Sequence, residues 1–171
     1  MFSVLWWRRT PAGWFGLLLL VLYCAANSRA QNEAAGILRD ARLPASVKER
    51  IYRELSSEPG ESSVVERSIL EASKVKIIEL GPNGDRGIRV WGASGICGAT
   101  GNCPIWIFDH QTGELLLSAS GFDLRVESVI HHARYDILAR ANMSAGDGVR
   151  DLYQFDGHKY QNVQETKETY R

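Results

Sequence analysis

Two cysteines with five residues between them, Cys97 and Cys103, open the most patterned stretch of the chain, CGATGNCPIWIFDHQTGELLL. Such a pair can be a redox dithiol, part of a metal site, a nucleophile with its partner, or a structural disulfide. A redox pair is usually separated by two residues at a helix start, where the helix field lowers the pKa of one thiol. This pair instead lies between two strand-like runs. A zinc site needs about four ligands in tetrahedral array, and His110, His131, His132 and His158 show no ligand spacing with either sulfur. A catalytic thiol needs a base to hold it as thiolate, and none is placed by spacing. The expectation is a disulfide closing a glycine-containing loop, stabilising by about 2 kcal/mol in the chain-entropy picture.

Other chemical motifs each lack a member. GASGI around Ser94 is without the last glycine of a nucleophile elbow. GICGATG is not a dinucleotide fingerprint and has no phosphate-loop lysine. GPNGDRG, residues 81–87, puts Asn83 and Asp85 at the third and fifth positions of a calcium loop, but Gly81 replaces the first carboxylate and Arg86 the required glycine, so a tight turn is expected. Asp109, Glu114, Asp123, Glu127 and Asp136 read as solvated charges, and His131–His132 as an exposed turn. No catalytic residue, metal or cofactor is expected.

The redox compartment gives the disulfide its meaning. Residues 1–30 hold Arg8 and Arg9, an apolar run from Trp14 to Ala26, and the small-residue ending Ser28-Arg29-Ala30, the layout of a secretory signal peptide with cleavage after Ala30. The apolar run is shorter than the roughly 20 residues of a membrane span, and no later segment approaches that length, so no span is expected in the mature chain. Thr10, Pro11 and Ala12 do not continue a twin-arginine signal, and Tyr23 disfavours Cys24 as a lipoprotein cysteine. Removing these residues takes three arginines and no acid, leaving 17 basic against 20 acidic residues. A mildly acidic chain argues against a nucleic-acid partner.

The elements that must hold these residues fall in two parts. Residues 31–73 read as helical. SVKE at Ser46–Glu49 is a possible capping box, with Val47, Ile51 and Leu55 on one apolar face, and a second helix could start at the Ser63–Glu66 box with Val65, Ile69 and Ala72 inward. Residues 74–171 read as antiparallel strands: KVKIIEL, GIRVWGA, PIWIFD, ELLLSA, FDLRVESV, YDILARA, RDLYQF and KYQNVQ, followed by a short polar tail. Asp156-Gly157 is expected as a two-residue hairpin turn, and Gly113 as the left-handed residue of a longer one. Both alternating sets in Ile105–Phe108 are apolar, so that strand should be interior. The fold class is therefore α+β: helices covering one mostly antiparallel, meander-like sheet, all in one globular unit.

The run TGNC with PIWIF, then YDIL and LYQFDGHKY, resembles a pattern shared by uncharacterised secreted bacterial proteins. In these, TGNC precedes a W-x-F strand and a Y-x-FDG-x-x-Y hairpin closes the sheet. The likeness covers about residues 74–163. In such proteins the turn at Gly81 often reads DLNGDG, as in FG-GAP-like sheet proteins, and here that acid is missing. The resemblance implies fold and compartment and carries no activity. IWIFDHQTGELLL also looks like one hairpin of a propeller blade, but one copy cannot close a propeller.

Two functional classes follow. The first is a secreted or periplasmic non-enzymatic binding module for an envelope protein or glycan, its surface supplied by Trp91, Gly98, Thr100 and Asn102. The second is a small hydrolase built from scattered histidines and acids. A histidine converging with an acid in a cleft would separate them. Core packing is the expectation for Trp106, and Trp91 is open between core and surface.

Overall fold

In a computed structural model, residues 36–57 and 67–170 are described. The expected signal peptide and the expected Ser63–Glu66 capping box lie outside them. Two α-helices and nine strands follow in chain order: β1 Gly36–Ile37, α1 Ala45–Ser57, α2 Arg67–Glu71, β2 Lys74–Glu79, β3 Arg86–Trp91, β4 Cys103–Asp109, β5 Leu115–Gly121, β6 Asp123–His131, β7 Arg134–Asn142, β8 Asp147–Phe155 and β9 Tyr160–Thr169, with a 3-10 turn at Ser94–Ile96 before β4. All eight expected strands are present. Residues 34–171 form one compact unit, and among the described residues no helix is long and apolar enough to cross a membrane.

The strands do not make one sheet. They form two antiparallel meanders, β1-β2-β3-β4-β5 and β6-β7-β8-β9. The break falls at Gly121–Phe122. A single residue between β5 and β6 cannot reverse the chain, and the corner instead crosses β7: the Phe122 amide donates to the Arg140 carbonyl at 2.9 Å. A Cβ at Gly121 would stand within 2.4 Å of that same oxygen, so this corner requires glycine.

Ile105–Phe108 is buried on both sides, as its composition requires. Trp106 and Phe108 join Val75, Ile88 and Val90 against Val47, Ile51, Tyr52 and Leu55 of α1 and Leu70 of α2. Ile105 and Ile107 turn the other way, toward Leu124, Ile137, Phe155 and Tyr160 of the second sheet. The inner sheet is thus a middle layer between helices and the outer sheet. Burying a side chain of this size stabilises by about 1.5–3 kcal/mol, which is why the i, i+4, i+8 face of α1 was decisive despite its charged remainder.

Several local expectations are corrected. Residues 36–44 are not helical: β1 pairs with β2, and the Leu38 and Arg39 amides donate to the Ser73 and Glu71 carbonyls. Helix α1 starts at Ala45 on the carbonyl of Pro44, which accepts from Lys48, so Ser46 lies inside the first turn and is not the cap. In α2 Leu70 is the buried residue, with Ile69 half-buried and Ala72 exposed. The polar tail is strand: β9 runs to Thr169 in register with β8. Its side chains are solvated on both faces, so no alternation marks it. Asp156-Gly157 is not a two-residue turn, because Phe155 pairs with Tyr160 and four residues intervene. Only Gly157 there has positive φ, at 104°. Gly113 is left-handed as expected, at 69°.

Candidate functional site

Cys97 and Cys103 are disulfide-bonded. The loop they close is internally tied, with Gly98 donating to Asn102 and Gly101 to Gly98. It is also fastened to the outer sheet. The Asn102 side-chain amide donates to the Asn142 carbonyl at 2.8 Å, and the Asn142 amide donates to Asn102 Oδ1 at 2.8 Å. Asn142 Nδ2 completes the clasp on the Thr100 carbonyl at 3.0 Å. The side-chain amide of Asn102 is therefore spent within the fold, while Gly98 and the Thr100 side chain stay exposed.

Trp91 stands elsewhere. It ends β3 half-buried and borders a cleft of about 510 Å³ whose described lining is Gly36, Ile37, Lys74, Val75, Lys76, Arg89 and Trp91. The register explains the grouping. Lys74 lies opposite Trp91 and Lys76 opposite Arg89, and Trp91 and Arg89 lie opposite Ile105 and Ile107 of β4. All these side chains therefore share the face of the inner sheet that the outer sheet covers further along. Toward β1 and β2 that cover ends, leaving Lys74 and Lys76 exposed. Burial pulls the Arg89 guanidinium below its ordinary pKa, with Asp123 acting in the opposite sense. Its charge sits 5.6 Å from the Trp91 ring centre. The four residues proposed from sequence thus do not converge: Trp91 lines the cleft, while Gly98, Thr100 and Asn102 are absent from its described lining.

One histidine does meet an acid. Nδ1 of His131, the last residue of β6, is 2.7 Å from Oδ1 of Asp136, and Gln154 Nε2 donates to the other oxygen at 3.3 Å. Asp136 is 2% exposed and is not the solvated charge expected from sequence. His132 and Ala133 form the β6–β7 turn with φ of 48° and 69°, an uncommon geometry for residues bearing a Cβ. The turn packs on the inner sheet, where a Cβ at Gly81 would come within 2.6 Å of the Ala133 carbonyl. No serine, threonine or cysteine is among the described hydrogen-bond partners of His131. The dyad holds the His131 imidazole through its Nδ1.

Beside it lies a residue that no sequence motif marks. Arg134 is 13% exposed, and its Nε is 2.5 Å from Asp85 Oδ2 and its Nη2 3.2 Å from Asp109 Oδ2. Its guanidinium lies 4.4 Å from the centre of the Phe155 ring. Asp85, the would-be calcium ligand, thus faces an arginine. Burial works to raise the Asp109 carboxyl, but the amides of Thr112 and Gln111, the Thr112 hydroxyl and Arg134 together hold it below its ordinary value. Burial pushes the Tyr160 phenol well up, and its hydroxyl donates to the Tyr135 carbonyl. Among the described residues no group of three or more His, Cys, Asp or Glu is arranged to hold a metal ion.

Comparison with known protein families, curated proteins and solved structures returns no match for this chain.

Proposed function

We propose that this chain is an exported, non-enzymatic binding module of α+β class, with the Trp91 cleft as its ligand-facing surface. The observation that carries the reading is Trp91 itself, an amphipathic aromatic set half-buried in the wall of an open cleft on a two-sided, rigidly packed sheet. Binding sites combine such an apolar wall with a few placed polar groups, and a scaffold that does not shift keeps them in position. Export rests on the signal-like residues 1–30, on the resemblance to secreted proteins, and on a disulfide that suits an oxidising compartment. The partner class is an envelope protein or glycan.

The experiment is retention of the exported protein on the envelope fraction of its own host, comparing Trp91→Ala with Thr100→Ala. Loss with Trp91→Ala and retention with Thr100→Ala are expected. Equal retention of both variants would remove the cleft from the reading. The exported form should have the intact mass of residues 31–171 less two hydrogens, and a lipid adduct on Cys24 would move it to a membrane surface.

The His131–Asp136 hydrogen bond favours a second reading, a hydrolase in which Asp136 orients an imidazole base. Activity on ester, peptide or glycoside substrates that disappears in a folded His131→Ala protein would establish it in place of the first.

A further inference from the structure

Resting on that binding reading, we propose that the cleft takes the carboxylate of an acidic glycan, with Arg89 and Lys76 holding the acid and Trp91 flanking the sugar ring. Lys74, Lys76 and Arg89 gather around the cleft, and among the described residues none has an acidic hydrogen-bond partner. Lys76 is directly opposite Arg89, and like charges at that cross-strand position destabilise a sheet. Asp123 acts on Arg89 only through space, because the hydrogen bond that its Oδ2 accepts, at 2.9 Å, comes from Arg125 Nε. The part-buried Arg134 and Arg140 each meet a carboxylate, so Arg89, which has no carboxylate hydrogen-bonded to it among the described residues, departs from them.

A bound carboxylate would supply the missing charge, and a guanidinium suits it best because its parallel N–H groups match both oxygens. Cross-strand neighbours lie about 5 Å apart and successive same-face residues about 7 Å apart. The four side chains therefore frame an area the size of a sugar unit, charged along Lys76–Arg89 and aromatic at Trp91. A lipid surface fits less well. Among the described residues the exposed large apolar ones are Phe122, Val129, Ile130, Met143 and Val163, none of them in the described cleft lining, and membrane binding needs apolar anchors beside the cations.

The test titrates disulfide-intact residues 31–171 with a galacturonate trimer, its neutral galactose counterpart, inorganic phosphate and phosphatidylglycerol vesicles. Fluorescence is a suitable readout because only Trp91 and the buried Trp106 remain in that chain. Saturable binding of the acidic trimer is expected, weakened by salt and about tenfold weaker in Arg89→Gln, as befits loss of one charge-assisted pair. Lys76→Gln gives the same direction should Arg89→Gln fail to fold. Equal binding of the neutral trimer, equal response to phosphate or vesicles, or no effect of either variant overturns the proposal. Envelope retention through Trp91 without galacturonate binding overturns the acidic class alone. Loss of both overturns the binding reading with it.

Discussion

Arg134 and Arg89 are the same residue type in opposite circumstances. Arg134 joins the two sheets at their turns, answered by Asp85 and Asp109 and covered by Phe155. Arg89 lies at the uncovered side of the inner sheet beside two lysines and a tryptophan, with no carboxylate hydrogen-bonded to it among the described residues. A buried charge that has its partners is part of the architecture, and one without them marks where a partner is wanted. The difference separates a joint from a candidate site without reference to any motif.

The sharpest way to break the comparison is to remove each charge. Arg134→Met should destabilise by about 3 kcal/mol, because it leaves two part-buried aspartates uncompensated. Arg89→Gln should leave chemical-denaturation stability unchanged or raised, since it relieves a like-charge pair. If both variants lose equal stability, Arg89 is structural and the contrast fails. Replacing both cysteines by serine should cost about 2 kcal/mol while sparing binding at the Trp91 cleft, whose described lining excludes the disulfide loop. Ala133→Gly should stabilise by roughly 1 kcal/mol, because it relieves a left-handed residue with a Cβ. A loss of stability instead would mean that the turn owes its geometry to more than local preference.

The smallest effect concerns a fully exposed carboxylate. Asp156 accepts from the Lys159 and His158 amides and from Gln161, which lowers its pKa from 3.8 to about 2. A depressed carboxylate contributes stability above the unfolded value, and this is lost as pH falls from 3.8 through about 2. The His158 and Lys159 amide resonances should therefore titrate together in that window. A midpoint at the ordinary aspartate value would show the loop to be unformed in solution.

How far the sequence reveals this arrangement depends on which force shaped each element. All eight expected strands were legible because burial on one or both sides leaves an apolar rhythm, as in Ile105–Phe108. The far end of β9 has no buried face, so it carries no rhythm and read as a tail. The split into two sheets was not legible, because the expected strands ELLLSA and FDLRVESV leave Ser120 and Gly121 between them, room for a two-residue turn, and only in the fold does Phe122 alone separate the strands. Asp136 read as a solvated charge because nothing in the sequence shows that His131 across the β6–β7 turn and Gln154 of β8 enclose it, and Arg134 drew no reading because Asp85 lies 49 residues away. The disulfide was inferable from two cysteines and a compartment. The Trp91 cleft was not, since Lys74, Lys76 and Arg89 become neighbours only through the β2–β3 register.

Because strand order in both sheets follows chain order, each strand can pair with one already present, and only the two-residue β1 pairs across a long interval. Such local topology folds quickly, and the disulfide, spanning a sequence separation of 6, closes within the same neighbourhood. The long-range connections of Arg134 can form only when the two meanders meet. Docking of finished sheets is then the last event of assembly and the first of disassembly, so damage at Arg134 should appear as faster unfolding with refolding speed little changed.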